Sequence, residues 1–529
     1  MTKNPSHEIV SILRTELQAA VERGDEPYSA VIADHEGEIL AFAGNCEHSA
    51  SDPTAHAEVC AIRMFALDRN SRDMSDLILY CSAEPCPMCR ATAEFNGISC
   101  IEVINVESPE EERLEVVGLS PNLQSLVVEN VRLTECPGLW SIGMRDGVID
   151  RVEQYQPGKK EVLPAAARLN ARGCVFIPPL VEAHIHLEKA YLESRKPNLS
   201  GTLQEAIKIT GELKKQFTIE DMVERARAVL DRSVRKGVAV LRAQVEVDPI
   251  LGLRALEAVV SLRQEYADKL EIQIVAFPQE GILQSPGTEE LLKSACTYPL
   301  SAIGGVPYND TDPDEHLGII FRLAASTGLD LDIHTDFSDN PALQHIKKII
   351  SNTKSYGYTG RVMVSHLTSL GSMDPSDIEQ ICQDLAELQI TVATLPMTDL
   401  YLGARNDHTA PRRGLTPVKA LLSAGVPMCC GSNNIRNAFT PFGNGDPIVT
   451  AHTLAIAAQM GSKAEQDAVL RMVTSDAAKA LGVQTYGIAP GCTANGIILD
   501  ITDPELLISE IPERRWIIRE GRIIHRSYQ

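Results

Sequence analysis

The chain is short of positive charge for its size, with 49 Lys and Arg against 71 Asp and Glu in 529 residues and a formal net charge of -22. That balance speaks against a nucleic-acid backbone as the main partner, because phosphate binding is driven by clustered Lys and Arg. No apolar run approaches the length of a membrane helix. The first residues, Met1 to Val10, lack both the basic start and the apolar core of a signal peptide. A cytoplasmic location with no membrane partner is therefore expected. There is no internal repeat and no low-complexity tract. Thirteen cysteines are ordinary for this length, and in a reducing compartment they are free or metal-bound. The chain is too long for one ordinary domain, and its 44% hydrophobic and 23% charged residues are those of a soluble globular protein.

The chain opens with an amphipathic helical pattern, Ile9, Val10, Leu13, Leu17, Ala20 and Val21. Apolar runs at Tyr28–Ala33 and Ile39–Ala43 then read as a hairpin. Asp52-Pro53-Thr54-Ala55-His56-Ala57-Glu58 leads into a helical pattern through Ala61, Ile62 and Phe65. A strand at Leu77–Cys81 precedes Glu84-Pro85-Cys86-Pro87-Met88-Cys89, which opens another helix. His56, Cys86 and Cys89 supply three ligands for tetrahedral zinc and leave the fourth position for water. Two cysteines in the first turn of a helix bring their sulfurs together and favour the thiolate. Glu58 can take a proton from the water and hand it to a leaving amine. A closed structural site has no use for a Glu two residues after the His.

These residues form the H-x-E and P-C-x-x-C signature of zinc deaminases. Residues 1–112 resemble the cytidine deaminase-like superfamily, in the branch of guanine, cytosine and tRNA adenosine deaminases, with DPTAHAE and EPCPMC nearest the guanine deaminase wording. The resemblance implies a three-layer α/β/α domain in which Asn45 holds the base. The chain departs from many relatives at Ala83. Acidic residues far outnumber basic ones in this part, which suits a free heterocycle better than tRNA.

The acidic, Pro-containing stretch from Val106 to Arg113 reads as a linker. Short strands follow at Leu126–Leu133, Trp140–Met144 and Gly147–Val152, and others close the chain at Gly496–Leu499, Trp516–Arg519 and Arg522–His525. They suggest a small β-sandwich built from residues 122–175 and 486–529. Between them, residues 176–485 alternate strand and helix. Candidate strands are the run ending at His184, then Val238–Val245, Glu271–Phe277, Ala302–Val306, Asp330–His334, Val362–His366, Thr391–Leu395 and Pro427–Cys430. Eight is the count of a (β/α)₈ barrel. His184 and His186, one residue apart at a strand end, face the same way and suit a metal.

The wording VEAHIHLEKAY, QIVAFPQEGI, LDIHTDF, VMVSHLTSL, GSNNIRNAFTPFG, YGIAPG and IREGRII resembles the amidohydrolase superfamily, in its cytosine deaminase-like branch. The resemblance implies a metal held by His184, His186 and His334, with His366 beside the water or substrate and Gln279 touching the base. That branch adds a Glu three residues after the third histidine and an Asp after the last strand. Here Phe337 and Asn433 stand at those positions. An amide oxygen ligates weakly and is no base at neutral pH, and Phe moves no proton. Asp336, Asp339 and Asp446 are nearby acids that could substitute. Lys189 and Arg412-Arg413 read first as loop charges, and Cys429-Cys430 as core packing.

Together the two resemblances imply a hydrolytic deaminase of an amino-substituted heterocycle of guanine, cytosine, pterin or triazine type, with two active sites. The alternative is catalysis in the first domain alone, with the barrel a scaffold or ligand sensor. Zn²⁺ is expected in the first site and Zn²⁺ or Fe²⁺ in the second. The partners expected are a small heterocycle and further copies of the chain in a homo-oligomer.

Overall fold

The computed structural model describes residues 7–104 apart from 36, 70–72 and 99, and residues 125–156 and 167–526. The expected linker at 106–113 lies outside the described residues. Those residues fall into two compact units, 7–104 and 125–526.

The first unit is a four-stranded sheet in the order β2-β1-β3-β4, with β1 at Ser29–Asp34, β2 at Ile39–Gly44, β3 at Leu77–Cys81 and β4 at Cys100–Val103. The hairpin expected from the two apolar runs forms, Ser29 pairing with Gly44. Helices α1 (His7–Arg23), α2 (Ala57–Arg69) and α3 (Pro87–Phe95) cover the sheet. The period of two along β1 decides which helix meets which face. Val31 and Ala33 pack with Ile9 and Leu13 of α1. Ala30 and Ile32 pack with Ala61, Ile62 and Phe65 of α2 and Ala93 of α3. The result is an α/β/α sandwich.

In the second unit, β5 (Ser125–Val131), β6 (Trp140–Arg145), β7 (Val148–Gln154) and β8 (Ala167–Asn170) form a sheet in the order β7-β6-β5-β8. Next come β9 (Val175–Ile177) and eight parallel strands: β10 (Leu180–Ile185), β11 (Val238–Glu246), β12 (Glu271–Phe277), β13 (Ala302–Gly305), β14 (Asp330–Thr335), β15 (Val362–His366), β16 (Thr391–Thr394) and β17 (Met428–Cys430). They are hydrogen-bonded in chain order. The ring closes where Asn433 N donates to His184 O and His186 N donates to Asn433 O, both at 2.8 Å. Gly431 permits that approach, since a Cβ there would lie 2.8 Å from His184 O. Buried on both faces, these strands read as continuous apolar runs. Cys429 and Cys430 turn to opposite sides and into different core clusters, as expected of packing residues.

Three C-terminal strands, β18 (Gly496–Leu499), β19 (Arg514–Arg519) and β20 (Arg522–Arg526), join β9 in a second flanking sheet ordered β20-β19-β18-β9. Both ends of this unit thus contribute to the flanking sheets. No helix among the described residues is long and apolar enough to cross a membrane.

Candidate active sites

In the first unit the loop after β2 carries Asn45, residue 56 immediately precedes α2, and Glu58 lies in the first helical turn, where a carboxylate suits the helix dipole. Cys86 is the residue before α3, Pro87 starts that helix, and Cys89 follows in its first turn. The three ligand candidates converge. Cys86 Sγ is 3.6 Å and Cys89 Sγ 3.5 Å from His56 Nδ1, and the two sulfurs are 3.6 Å apart. Zinc bonds of about 2.3 Å to sulfur and about 2.0 Å to nitrogen, spread tetrahedrally, give ligand separations of roughly 3.5–3.8 Å. The triangle fits such an ion.

Glu58 is buried beside the Cys89 thiol. Burial, then that carboxylate, pushes the Cys89 thiol above its ordinary value. At Cys89 burial thus opposes the thiolate form that a helix terminus favours, and a bound cation would favour it. Asn45 is fully buried. Its Oδ1 accepts from Glu47 N and its Nδ2 donates to a Glu47 carboxylate oxygen, each at 2.9 Å.

At the C-terminal mouth of the barrel, His184, His186 and His334 come together with all three ligand atoms within 4.8 Å of one another. His334 Nε2 is 3.4 Å from His186 Nε2. Burial first, then neighbouring charges, holds all three imidazoles well below their ordinary values, so they are neutral and able to ligate. Both ring nitrogens of His184, Nδ1 of His334 and Oδ1 of Asn433 are buried without a hydrogen-bond partner. Orphaned polar atoms so placed are what a metal satisfies. Phe277 stacks on His334 at 4.7 Å between ring centres.

His366 ends β15 with a left-handed φ of 72°. Thr416 Oγ1 donates to its carbonyl at 2.5 Å, which helps hold this strained position. Its Nδ1 lies 2.6 Å from Asp399 Oδ1, in the helix Pro396–Leu402 that follows β16. Asp399 is fully buried, its other oxygen is unpartnered, and burial raises its carboxyl above the usual range. Phe337 stacks face to face on His366, 4.2 Å between centres and 9° between planes. Gln279 is buried just after β12, its carbonyl accepting from Asn309.

The acids offered above as substitutes are otherwise engaged. Asp336 accepts from His345 N and Ile346 N at the start of the helix Ile346–Tyr356. Asp339 accepts from Ala404 N. Asp446 caps the helix Pro447–Ala457 and pairs with Arg514. Lys189 is no loop charge. It is buried and paired with Glu246 at 2.7 Å, which also takes Lys214 at 2.7 Å. Arg412 is exposed and paired with Asp407, as a loop charge.

Sequence reasoning missed Glu47, Asp399 and the Lys189–Glu246 pair. Asp399 sits five residues beyond β16, so extending each strand end by one helical turn would have found it.

Glu182 of β10, also buried in the barrel, accepts from His184 N, Ser432 N and Ser432 Oγ. Burial pushes it up to about 7 despite those bonds. The folded chain then binds more protons than the unfolded one between about pH 4.5 and 7, so its stability falls as pH rises through that window. Glu182→Gln keeps an oxygen for the two backbone N–H groups, turns an NH₂ toward Ser432 Oγ, which can accept it, and removes the charge. The variant is expected to melt about 1–3 °C above the parent at pH 8 and level with it near pH 5, as read by calorimetry at the two pH values.

Residues 168–524 match the amidohydrolase family, and the chain belongs to it. Residues 4–103 match the cytidine and deoxycytidylate deaminase zinc-binding region, so the chain joins the two. Among individual proteins, it is 26% identical to the N-isopropylammelide isopropyl amidohydrolase of Pseudomonas sp. (strain ADP), over 75% of this chain and 96% of that one. The solved 5-methylcytosine deaminase from Klebsiella pneumoniae, liganded with phosphonocytosine, is 30% identical with a TM-score of 0.72, over 76% of this chain and 98% of that one. Over 63 residues, 12% of this chain and 40% of the relative, it is 48% identical to the guanine deaminase of Bacillus subtilis (strain 168). The chain is a metal-dependent hydrolase of C–N bonds, of the deaminase kind.

Proposed function

We propose that the chain carries two hydrolytic sites that act on one polyamino heterocycle, each exchanging an exocyclic amine for oxygen. At each site one C–N bond of the ring substituent breaks and one C–O bond to water forms, with one of the water's protons leaving on the amine and the other moving to the adjacent ring nitrogen of the oxo product. The N-terminal site takes a guanine-type ring held by Asn45, and the barrel takes a cytosine-, pterin- or triazine-type ring beside Gln279. What carries this reading is that two ligand sets, His56 with Cys86 and Cys89, and His184 with His186 and His334, each converge within bonding range of a single ion.

A zinc ion in the first site, and zinc or iron in the second, supplies Lewis-acid activation of water. The proton work falls to the chain. In the first site Glu58 takes the proton from water and delivers it to the departing amine. In the barrel, Phe337 and Asn433 cannot do this, and His366 is the group left to accept the proton, with Asp399 fixing its tautomer and stabilising the imidazolium that forms. Phe337 presents an aromatic face where relatives place a carboxylate. That loss supports a second reading, in which the barrel binds metal and ring without turnover.

Elemental analysis of the purified chain separates the two readings together with ammonia release from guanine, cytosine, pterin and aminotriazine. Two metal equivalents, each needed for one ammonia-releasing step, are expected. One equivalent, lost with His56→Ala, would leave the barrel a scaffold.

A further inference from the structure

We propose that Glu47 is a positioning residue that ties the metal ligand His56 to the ring-holding Asn45, and so makes metal binding and ring binding one unit. This rests on the reading of the first site as a metal site. Glu47 lies in the loop after β2, outside both motifs, and its carboxylate uses each oxygen on a different partner. Oε1 is 3.4 Å from His56 Nε2, and Oε2 accepts from Asn45 Nδ2 at 2.9 Å. Its backbone N–H closes the loop on Asn45 Oδ1 at 2.9 Å.

The first contact selects a tautomer. A proton on Nε2, facing a carboxylate, leaves the lone pair on Nδ1, and Nδ1 is the atom that faces Cys86 and Cys89. Ligating histidines commonly owe their orientation and basicity to such an outer carboxylate. The other contacts select an amide orientation. An N–H must meet oxygen and an NH₂ must meet a carboxylate, so Asn45 cannot flip. With those bonds made, Asn45 keeps one free N–H and one free lone pair. It therefore offers a ring one donor and one acceptor, the complement of a lactam edge with its C=O beside N–H. The favoured substrates are oxo-amino heterocycles.

The test uses the full chain and cobalt(II), whose thiolate charge-transfer absorption reports only a cysteine-ligated site. Titration of Glu47→Ala is expected to show cobalt affinity lowered about 10–100-fold, with KM for the lactam-bearing ring raised at the same time. Glu47→Gln keeps an oxygen for His56 but turns an NH₂ toward Asn45 Nδ2. It is expected to keep most of the cobalt affinity and still raise KM, and being isosteric it guards against a folding failure of the alanine variant. A lowered melting temperature with cobalt affinity and KM both at parental values would reduce Glu47 to a loop brace and overturn the proposal. The cobalt readout needs no turnover, so it stands or falls separately from the deaminase reading, which Glu58→Gln tests.

Discussion

Glu58→Gln is expected to lower ammonia release at the N-terminal site by about 10³- to 10⁴-fold, the upper range for losing a positioned general acid–base group. Glutamine has the shape of glutamate, and position 58 is buried against Cys89 in the first turn of α2, so the fold and the ligand triangle have no reason to move. Cobalt binding should therefore match the parent. That combination of intact metal and lost turnover distinguishes a proton carrier from a ligand. If the chain has two working sites, the barrel's step survives the substitution, and its product pattern identifies which amine each site removes. Retention of the N-terminal step within tenfold of the parent would remove Glu58 from the chemistry.

The second large effect is expected at His184. Its two ring nitrogens are buried and unpartnered, and Asp332 Oδ1 lies 4.0 Å from Nδ1. A polar group in that state costs stability until something binds it. His184→Ala should leave the melting temperature of the metal-free chain level or raised, and should abolish the rise in melting temperature that added zinc or iron gives the barrel. Metal affinity should fall by more than the roughly 10–100-fold typical of losing an outer partner. The barrel's ammonia-releasing step should fall with it, by about 10³-fold or more. Unchanged rates in this variant would end any catalytic role for the barrel.

Much of the fold could be read from the chain because its strands are buried on both faces. The barrel strands stand out as mostly apolar runs, and histidines mark the ends of three of them, β10, β14 and β15. The stretch from Val175 to His186 was harder. Pro178-Pro179 divides what reads as one run, so that β9 joins a flanking sheet and β10 starts the barrel. Proline has no N–H for a ladder, and two in succession mark a change of sheet. β8 is four residues of mixed polarity and gives no periodic signal. In the sites, the ligands were legible because metals demand fixed residue types at fixed spacing. Glu47 and Asp399 were not, because an outer carboxylate needs only to arrive in space and can come from any loop.

The seam at which the barrel closes also limits what that position can become. Asn433 sits there at φ 60°, a conformation that Asn, Asp and Gly tolerate and branched or bulky residues do not. Its backbone is clasped on both sides by His184 and His186. The stave that completes the hoop therefore admits a short menu, two members of which differ by a single atom of the side chain. An amide and a carboxylate can therefore be exchanged at this joint without disturbing the hoop.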